Sequence, residues 1–428
     1  MLAMCRGFNA LAVRWAHPII STRRKRGFTP ITPQMARQSI DARLTRLAAE
    51  LRPLSECTGR ILREDIYAER DNPPFDRVCM DGIAIRSETF ARGLRRFTLA
   101  GSQAAGAPPL TLLDSDAAIE VMTGAMLPRS SDCVIPLEEY DESPGTVCLK
   151  DGVSGEPYRN VQRRGSDSQP GVPLLRSGIW IGPAEMGVLA SAGRPRVNVS
   201  RQPTFMVIST GDELIEPGQP IEEHQVRRSN AYAVMGGLLR HGFTAVGNDH
   251  IADEEEMMRA RLARHLATHD VLVLSGGVSK GKFDLVPKVL KSLDVQEVFY
   301  QVAQRPGAPM WFGIGPQGQA VFGLPGNPVS TLMCLMRYVV PAAAVAMGAD
   351  PAPIEQIPLA APIKRGRPTA SFVPVSIQFE PGGTRSALPH IPNGSGDFLA
   401  LAGTAGFVEL PPQADPYPAG FVADLYRW

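Results

Sequence analysis

The chain of 428 residues carries 44 basic and 43 acidic side chains, for a net charge of +1. This length allows roughly two to four domains of about 150 residues each. A near-zero net charge excludes a general attraction to nucleic acid or to a membrane surface, so any anion must be recognised by a local site. Apolar runs fall short of the roughly 20 residues that a membrane span requires, and we expect none.

The six cysteines, at 5, 57, 79, 133, 148 and 334, are scattered without a C-x-x-C or zinc-type spacing. This pattern predicts reduced thiols and a cytoplasmic protein. The first 40 residues contain seven Arg or Lys and no acidic residue. We expect residues 1–30 to form a disordered basic arm; an amphipathic transit peptide, or a true start at Met35, are the alternatives.

The N-terminal part predicts a helical region with a β domain inserted in it. From Thr32 the apolar residues recur at helical spacing through Leu51, and "GRILREDIYA" follows as a second element. The segment "RDNPPFDRVCMDGIAIR" predicts an ordered loop that leads into a strand. Residues 86–160 contain short β-type runs and no convincing helix, and a short helix ends near Gly193.

From Phe205 onward, buried strands alternate with amphipathic helices. The predicted strands include "FMVIS", "FTAVG" and "DVLVLS". One predicted helix is capped by Ser229 and ends at Gly242, and another opens with a capping box of Asp253 and Glu256. A long helix is predicted from Pro328 toward Met347. This alternation predicts a doubly wound, mainly parallel sheet, with ligands at the carboxyl ends of its strands.

The predicted helices and strands therefore divide the chain into several domains. We predict a multidomain α/β plus β protein with a central doubly wound domain and a C-terminal barrel-like β domain. The expected boundaries are 1–30 for the basic arm, 31–75 and 155–200 for a linker domain, 76–154 for the inserted β domain, 201–350 for the α/β domain and 355–428 for the C-terminal domain.

Three loops should carry the chemistry, because each follows a predicted strand of the α/β domain. They are "STGDEL", with Thr210, Gly211, Asp212 and Glu213; "SGGVSKGKFD", with Gly276, Gly277, Val278, Ser279 and Asp284; and "GLPGNPVS", with Pro325, Asn327 and Pro328. Each acidic residue also has a simpler interpretation: Asp212 caps a turn, Glu213 is solvated and Asp284 is a helix N-cap.

The second loop matches part of a phosphate-binding P-loop. Gly276 to Lys282 satisfies G-x-x-x-x-G-K, but Phe283 stands where the pattern needs a hydroxyl to hold Mg²⁺. The two glycines still allow backbone amides to approach an anion. His265 and His269, four residues apart on a helix, are more consistent with a solvated last turn than with a metal site.

Eight segments in order connect the sequence to a known family: "PPFDRVCMDGIAI", "TGAMLP", "RRGSD", "STGDEL", "RRSNAY", "SGGVSKGKFD", "RPGAP" and "LPGNPVS". With them the chain resembles the molybdopterin molybdenumtransferases, which include bacterial MoeA and the C-terminal part of gephyrin. The resemblance implies an elongated homodimer that inserts molybdate into adenylylated molybdopterin, with Mg²⁺-dependent release of AMP.

The resemblance also implies roles for individual residues. The catalytic candidates are Asp81, Thr123, Glu213, Asp284, Pro325 and Pro328, with Asp81 and Thr123 acting across the dimer interface and with Glu213 and Asp284 as ligands of Mg²⁺. The substrate-binding candidates are Thr210, Gly211, Asp212, Gly276, Gly277, Val278, Ser279 and Asn327. The molybdate candidates are Arg305, Ser330, Arg367, Ser395 and Lys282. Asp167 and Asp253 match family acids of less defined role.

The chain departs from the family pattern at two positions. Lys282 replaces a usual acidic residue and Ala308 replaces a usual lysine, which suggests the hypothesis that Lys282 takes over part of the lost charge. The alternative is a catalytically weakened molybdopterin-binding scaffold or carrier. A third alternative is a pyrophosphate hydrolase built on the same α/β domain. Such an enzyme would not need the inserted β domain that carries Asp81 and Thr123. Expected partners are the pterin and molybdate, a second subunit, an adenylyltransferase and molybdoenzyme acceptors, without nucleic acid or membrane.

Overall fold

The N-terminal region begins with a short helix followed by paired strands. The computed structural model describes residues 30–278, 285–364, 368–379, 382–412 and 416–428. The first elements are α1 (Pro33–Asp41), β1 (Ala49–Pro53) and β2 (Ile66–Tyr67). Thr32 caps α1, since its side chain accepts a hydrogen bond from the Met35 N–H.

A six-stranded sheet is inserted after β2. Its order is β7-β4-β6-β5-β9-β8, and β3 pairs with β10 as a separate ribbon. The elements are β3 (Arg77–Val78), β4 (Gly82–Ile85), α2 (Ser87–Ala91), β5 (Arg96–Gln103), β6 (Ala117–Val121), β7 (Cys133–Pro136), β8 (Tyr140–Ser143), β9 (Thr146–Leu149) and β10 (Val161–Gln162). The predicted β content is confirmed, with the addition of the short helix α2.

The chain then returns to the N-terminal elements. The returning elements are β11 (Pro173–Leu175), α3 (Pro183–Ser191) and β12 (Arg196–Ser200). Strand β11 pairs with β2, and β12 pairs antiparallel with β1. The predicted helix ending near Gly193 is confirmed by α3.

The central α/β sheet has the order β16-β13-β17-β21-β20-β18. Its elements, with the small strands beside them, are β13 (Phe205–Thr210), β14 (Leu214–Ile215), β15 (Val226–Arg227), α4 (Ser229–Arg240), β16 (Val246–Ile251), α5 (Glu255–Thr268), β17 (Val271–Ser275), α6 (Val286–Ser292), β18 (Gln296–Tyr300), β19 (Gln304–Arg305), β20 (Trp311–Ile314), β21 (Ala320–Leu324) and α7 (Pro328–Met347). Strands β16, β13, β17 and β21 are parallel, whereas β20 and β18 are antiparallel.

Separate hydrophobic clusters cover the two faces of the central sheet. Helices α4 and α7 pack on the face that carries Phe205 and Val207. Helices α5 and α6 pack on the opposite face with Ile208 and Leu272. Because parallel strands are buried on both faces, this arrangement is the predicted doubly wound domain.

The C-terminal strands form a strongly curved sheet. They are β22 (Glu355–Pro358), β23 (Ala370–Phe379), β24 (Arg385–Pro389), β25 (Gly406–Leu410) and β26 (Val422–Arg427), in the order β19-β23-β25-β26-β22, and β24 also pairs with β23, opposite β25. A bridge between Leu359 and Ala387 brings the end of β22 toward β24. The predicted barrel-like fold is confirmed, and β19 joins it to the central domain by pairing Arg305 with Ser371.

Several predictions about elements were wrong. Leu51 lies in strand β1 and not in a helix, because pairing with β12 overrides the helical spacing of its apolar residues. The strand predicted at "FTAVG" lies later, at Val246–Ile251. Helix α4 has Arg228 as its N-cap and begins at Ser229, and the N-cap of α5 is Glu254, not Asp253.

Helix α7 is an apolar helix of the core. Contrary to the sequence-based expectation, it is long and apolar enough to cross a membrane, at 20 residues. However, 67% of its most apolar window is buried inside the fold, where it packs under the central sheet. The cysteines among the described residues are all free, and burial raises the pKa of the Cys334 thiol to about 12.

Candidate active site

Three loops meet at the carboxyl edge of the central sheet. Strand β17 lies between β13 and β21, with Ser275 opposite both Ser209 and Leu324. Each strand ends at this level, so the loops that follow them lie side by side. The described parts of the three predicted loops therefore lie at one edge of the sheet.

Glycines allow the first two loops to touch. Gly276 has φ +95°, and a Cβ atom there would lie 2.7 Å from the carbonyl oxygen of Thr210. Gly277 has φ +61°, and its Cβ would lie 2.7 Å from Thr210 Oγ1. Both the backbone conformation and the space thus require glycine.

Asn230, at the start of α4, ties the second and third loops together. Its Nδ2 donates to Ser275 Oγ at 2.9 Å and to the Gly326 carbonyl at 2.7 Å. Asn230 lies within the segment "RRSNAY", and the sequence alone predicts no role for it. An amide beside two acceptors on adjacent strand ends could not be recognised without knowing the strand order.

A cavity of about 400 Å³, here called the strand-end cavity, opens above these loops. It is lined by Ser209, Thr210, Glu213, Leu214, Val226, Arg227, Arg228, Ser229, Asn230, Ser275, Gly276, Gly326, Pro328 and Gly396. Glu213 is exposed and forms no ion pair with the other described residues. Asp212 Oδ1 instead accepts from the Asp253 N–H at 3.1 Å, so Asp212 and Asp253 hold the loop. Gly211 is fixed by His250, whose Nε2 lies 2.9 Å from the Gly211 oxygen.

A second cavity of about 580 Å³, here called the junction cavity, lies between the central domain and the C-terminal sheet. It is lined by Arg305, Pro306, Gly307, Ala308, Pro309, Pro325, Asn327, Val329, Ser330, Lys364, Ser371, Phe372, Pro374, Pro392, Gly394 and Ser395. None of these described residues is acidic. The structure thus brings together Arg305, Ser330 and Ser395, three of the five molybdate candidates, with Ala308 beside them.

The loop from Pro325 to Pro328 separates the two cavities. Gly326 and Pro328 line the strand-end cavity, whereas Pro325 and Asn327 line the junction cavity. Asn327 Nδ2 donates to Ser395 Oγ at 2.8 Å. We had predicted Asn327 for the nucleotide, but it faces the other side of its loop.

Neighbouring residues fix the positions of Pro325 and Arg305. Thr331 Oγ1 donates to the Pro325 carbonyl at 2.6 Å within the core. Gln304, also buried, donates from Nε2 to the Gly307 carbonyl at 3.1 Å and accepts from the Tyr338 hydroxyl. The sequence-based prediction did not include Thr331 or Gln304. Tyr338, the partner of Gln304, is 34 residues away, and the hydrogen bond from Thr331 to Pro325 spans a turn.

Asp81 and Thr123 form a pair in the inserted sheet. Asp81 Oδ1 accepts from the Thr123 N–H at 2.6 Å and from its hydroxyl at 2.8 Å. These hydrogen bonds, the backbone one first, lower the pKa of Asp81. Both residues are exposed, and neither lines the strand-end or the junction cavity of its own chain. Asp167 accepts a hydrogen bond from Gln162 Nε2 at 2.8 Å.

The histidine pair has a structural role at His265. Contrary to the expectation of a solvated turn, His265 is buried, with Nε2 2.6 Å from Asp249 Oδ2. Asp249 also pairs with Arg261 at 2.5 Å. No cluster of three or more His, Cys, Asp or Glu residues suitable for a metal occurs in the part of the chain that the structure describes.

Four predicted site residues, Ser279, Lys282, Asp284 and Arg367, lie outside the described residues. Val278 is described and buried, and its side chain packs beside Gly323 of β21.

Comparison with known families agrees with this architecture. The MoeA N-terminal region, comprising domains I and II, matches residues 31–193. A family described as the probable molybdopterin binding domain matches 206–344, and the MoeA C-terminal region, or domain IV, matches 356–428. Together these matches cover most of the chain.

Individual relatives extend the comparison. A molybdopterin molybdenumtransferase of Synechocystis is 39% identical over 371 residues, covering 86% of this chain and 93% of the relative. One from Staphylococcus epidermidis is 32% identical, covering 87% and 89%. The crystal structure of a molybdopterin biosynthesis MoeA protein from Pyrococcus horikoshii superposes with a TM-score of 0.74 at 28% identity, covering 93% of this chain and 99% of that one.

A doubly wound domain with its site at the strand ends, joined to an inserted β domain and a C-terminal barrel, defines a multidomain molybdopterin-binding protein. The chain belongs to the MoeA family of molybdopterin molybdenumtransferases, as the resemblance had implied.

Proposed function

We propose that this transferase of molybdenum cofactor biosynthesis inserts molybdate into adenylylated molybdopterin and releases AMP. The observation that supports the proposal is the pair of cavities on either side of one loop. The strand-end cavity carries an unpaired carboxylate beside glycine amides. The junction cavity carries cations and hydroxyls without an acid among its described residues. A nucleotide with Mg²⁺ suits the first environment, and an oxyanion suits the second.

The strand-end cavity fits a phosphate group and its metal ion. Mg²⁺ is usually bound by one or two carboxylates together with substrate phosphate oxygens, and Glu213 offers a carboxylate without a cation partner among the described residues. We assign Glu213 to the metal, with Asp284 as its predicted partner. Bound Mg²⁺ would neutralise charge on the leaving AMP phosphate. The nucleotide would be surrounded by Thr210, Gly211, Gly276, Gly277, Val278 and Ser279.

Thr210 provides a further sign of ligand binding. Its Oγ1 is buried directly beneath Gly277 and has no hydrogen-bond partner among the described residues. An unsatisfied buried hydroxyl costs about 1–3 kcal/mol, so such a group is usually kept for a reason. A small movement of the glycine loop on nucleotide binding would expose this hydroxyl to the ligand.

In the junction cavity, Arg305, Ser330 and Ser395 would bind molybdate as substrate. Arg305 extends from β19 and makes no ion pair with the described residues, while Ser330 stands in the first turn of α7. Arg367 and Lys282 remain predicted contributors. Pro325 and Pro328 would hold the shared loop rigid between the two substrates.

We further propose a homodimer in which Asp81 and Thr123 of one subunit complete the site of the other. Their exposure and their absence from both cavities of their own chain support this arrangement. The hydrogen bonds from Thr123 lower the pKa of Asp81 and so favour its carboxylate form. We expect a cytoplasmic enzyme that receives its substrate from an adenylyltransferase and supplies molybdoenzymes.

The test is incubation of the purified full chain with adenylylated molybdopterin, Mg²⁺ and molybdate. AMP release that requires molybdate supports the proposal. Binding of the pterin without AMP release would instead support a scaffold or carrier, the second candidate, which the alanine at position 308 of the junction cavity favours.

A further inference from the structure

The junction cavity contains two residues of the C-terminal sheet that have no role so far. Lys364 precedes β23, and Ser371 is the second residue of β23. Both line the cavity together with Arg305, Ala308 and Ser330. They therefore face the same space as the molybdate candidates, but from the other domain.

The cations of this cavity are uncompensated. Neither Arg305 nor Lys364 forms an ion pair with a carboxylate among the described residues, and the described lining contains no Asp or Glu. Both side chains are exposed, and cations that line one concave surface give it a positive potential that attracts anions. The charge distribution thus favours a ligand with more than one negative charge.

Two serine hydroxyls of the cavity, those of Ser330 and Ser371, also lack a hydrogen-bond partner among the described residues. Ser330 is 2% exposed and Ser371 is 4% exposed. Neither hydroxyl oxygen is among the fully buried polar atoms, so both can be reached from the cavity. A ligand oxygen can therefore provide the missing partner.

Strand pairing fixes the spacing of these groups. In the parallel pair of β19 and β23, Arg305 is the register partner of Ser371. Residues opposite each other in a ladder lie on the same side of the sheet, so the guanidinium and the hydroxyl are directed to one face. Docking of the C-terminal sheet therefore sets the geometry of the cavity.

We propose that Lys364 and Ser371 are binding residues for the tetrahedral oxyanion, with Lys364 supplying the positive charge that Ala308 does not. This inference rests on the proposed function, because it assigns residues to the molybdate subsite. It assigns to a residue of the C-terminal domain the charge that the sequence-based hypothesis assigned to Lys282.

The experiment measures molybdate affinity by calorimetry on the full chain and its variants. Lys364→Gln should weaken binding about 10- to 100-fold, as expected for loss of a charged hydrogen-bond donor. Ser371→Ala should weaken it about 10-fold or less. Lys291→Gln is the matched control, because Lys291 lies in the last turn of α6 and lines neither cavity. Circular dichroism verifies that each variant is folded.

A rescue distinguishes charge from structure. In the double variant Ala308→Lys with Lys364→Gln, a lysine is restored to the same cavity, and binding should recover most of its loss. A purely structural effect of Lys364 would not be reversed by a cation from another element.

The outcomes separate the inference from the proposed function. If Lys364→Gln binds as the parent does while Arg305→Gln or Lys282→Gln does not, the inference is wrong and the molybdate site stands. If the folded parent chain fails to bind molybdate at all, both are wrong. Loss in Lys364→Gln without rescue by Ala308→Lys would also overturn the charge assignment.

Discussion

The strand-end and junction cavities share a loop but are built in different ways. The strand-end cavity depends almost entirely on the central sheet, with glycines that bring main-chain atoms together and a single free carboxylate. The junction cavity needs two domains and presents side-chain cations and hydroxyls. Both cavities therefore contain cations, since Arg227 and Arg228 line the strand-end cavity, but only the strand-end cavity has a carboxylate, Glu213, among its described lining residues.

The largest expected effect concerns the contact that holds the domains of the junction cavity together. Arg337 of α7 pairs with Glu409 of β25 at 2.6 Å, and both side chains are largely buried. Arg337→Met should lower the free energy of unfolding by about 3–5 kcal/mol, because it leaves a buried carboxylate unpaired. Molybdate affinity should fall with it, while AMP binding at the strand-end cavity should be retained.

Chemical denaturation and calorimetry would measure both quantities. The double variant Arg337→Met with Glu409→Met removes the unpaired charge and should recover most of the stability. Equal losses of AMP and molybdate binding in the single variant would show that the two cavities are not independent.

The next effect concerns the carboxylate of the strand-end cavity. Glu213→Gln should reduce Mg²⁺-dependent AMP release at least about 100-fold, because even indirect metal contacts contribute 10- to 100-fold. Molybdate affinity should change by no more than about twofold, as expected for separate sites. Kinetics over a range of Mg²⁺ concentrations would test this, with Glu256→Gln, on the exposed side of α5, as the control.

A smaller effect tests the close approach of the loops. Gly276 and Gly93 have nearly the same φ, at +95° and +98°, but a Cβ atom at Gly93 would meet nothing within 4 Å. Both substitutions place an alanine at a positive φ, which costs conformational free energy. Only Gly276→Ala also brings a Cβ atom into overlap with Thr210. Gly276→Ala should therefore destabilise the fold by about 1–3 kcal/mol more than Gly93→Ala in thermal unfolding. A difference near zero would indicate that the glycine loop relaxes freely.

The smallest effect concerns the pair in the inserted sheet, outside both cavities. Because Thr123 lowers the pKa of Asp81, the pair favours the folded state above the usual titration range of Asp, and this contribution disappears as the pH falls through the lowered pKa. Thr123→Val should raise the pKa of Asp81 toward its usual value of about 3.9, while retaining the backbone hydrogen bond. NMR titration would detect the change, and Thr123→Ser, which keeps the hydroxyl, should leave the pKa low.

The sequence could indicate the strand ends around the strand-end cavity, although not Asn230, and it indicated less of the junction cavity. Thr210, Glu213 and Gly276 could be placed because strand ends of a doubly wound sheet share an edge, and this follows from local patterns. Lys364 and Ser371 could not, because no local pattern shows that the C-terminal sheet docks beside β19. The predictions for Leu51 and His265 were wrong because each depends on a partner outside its own segment. Leu51 pairs with β12, and His265 contacts Asp249.

The register between β19 and β23 also has a consequence for the order in which the protein matures. The groups around Thr210 can assemble as soon as the central sheet has folded, whereas Arg305 and Ser371 meet only after the C-terminal strands have been synthesised and docked. We therefore expect a chain under synthesis to acquire nucleotide affinity before oxyanion affinity, because the strands that complete the junction cavity are made last.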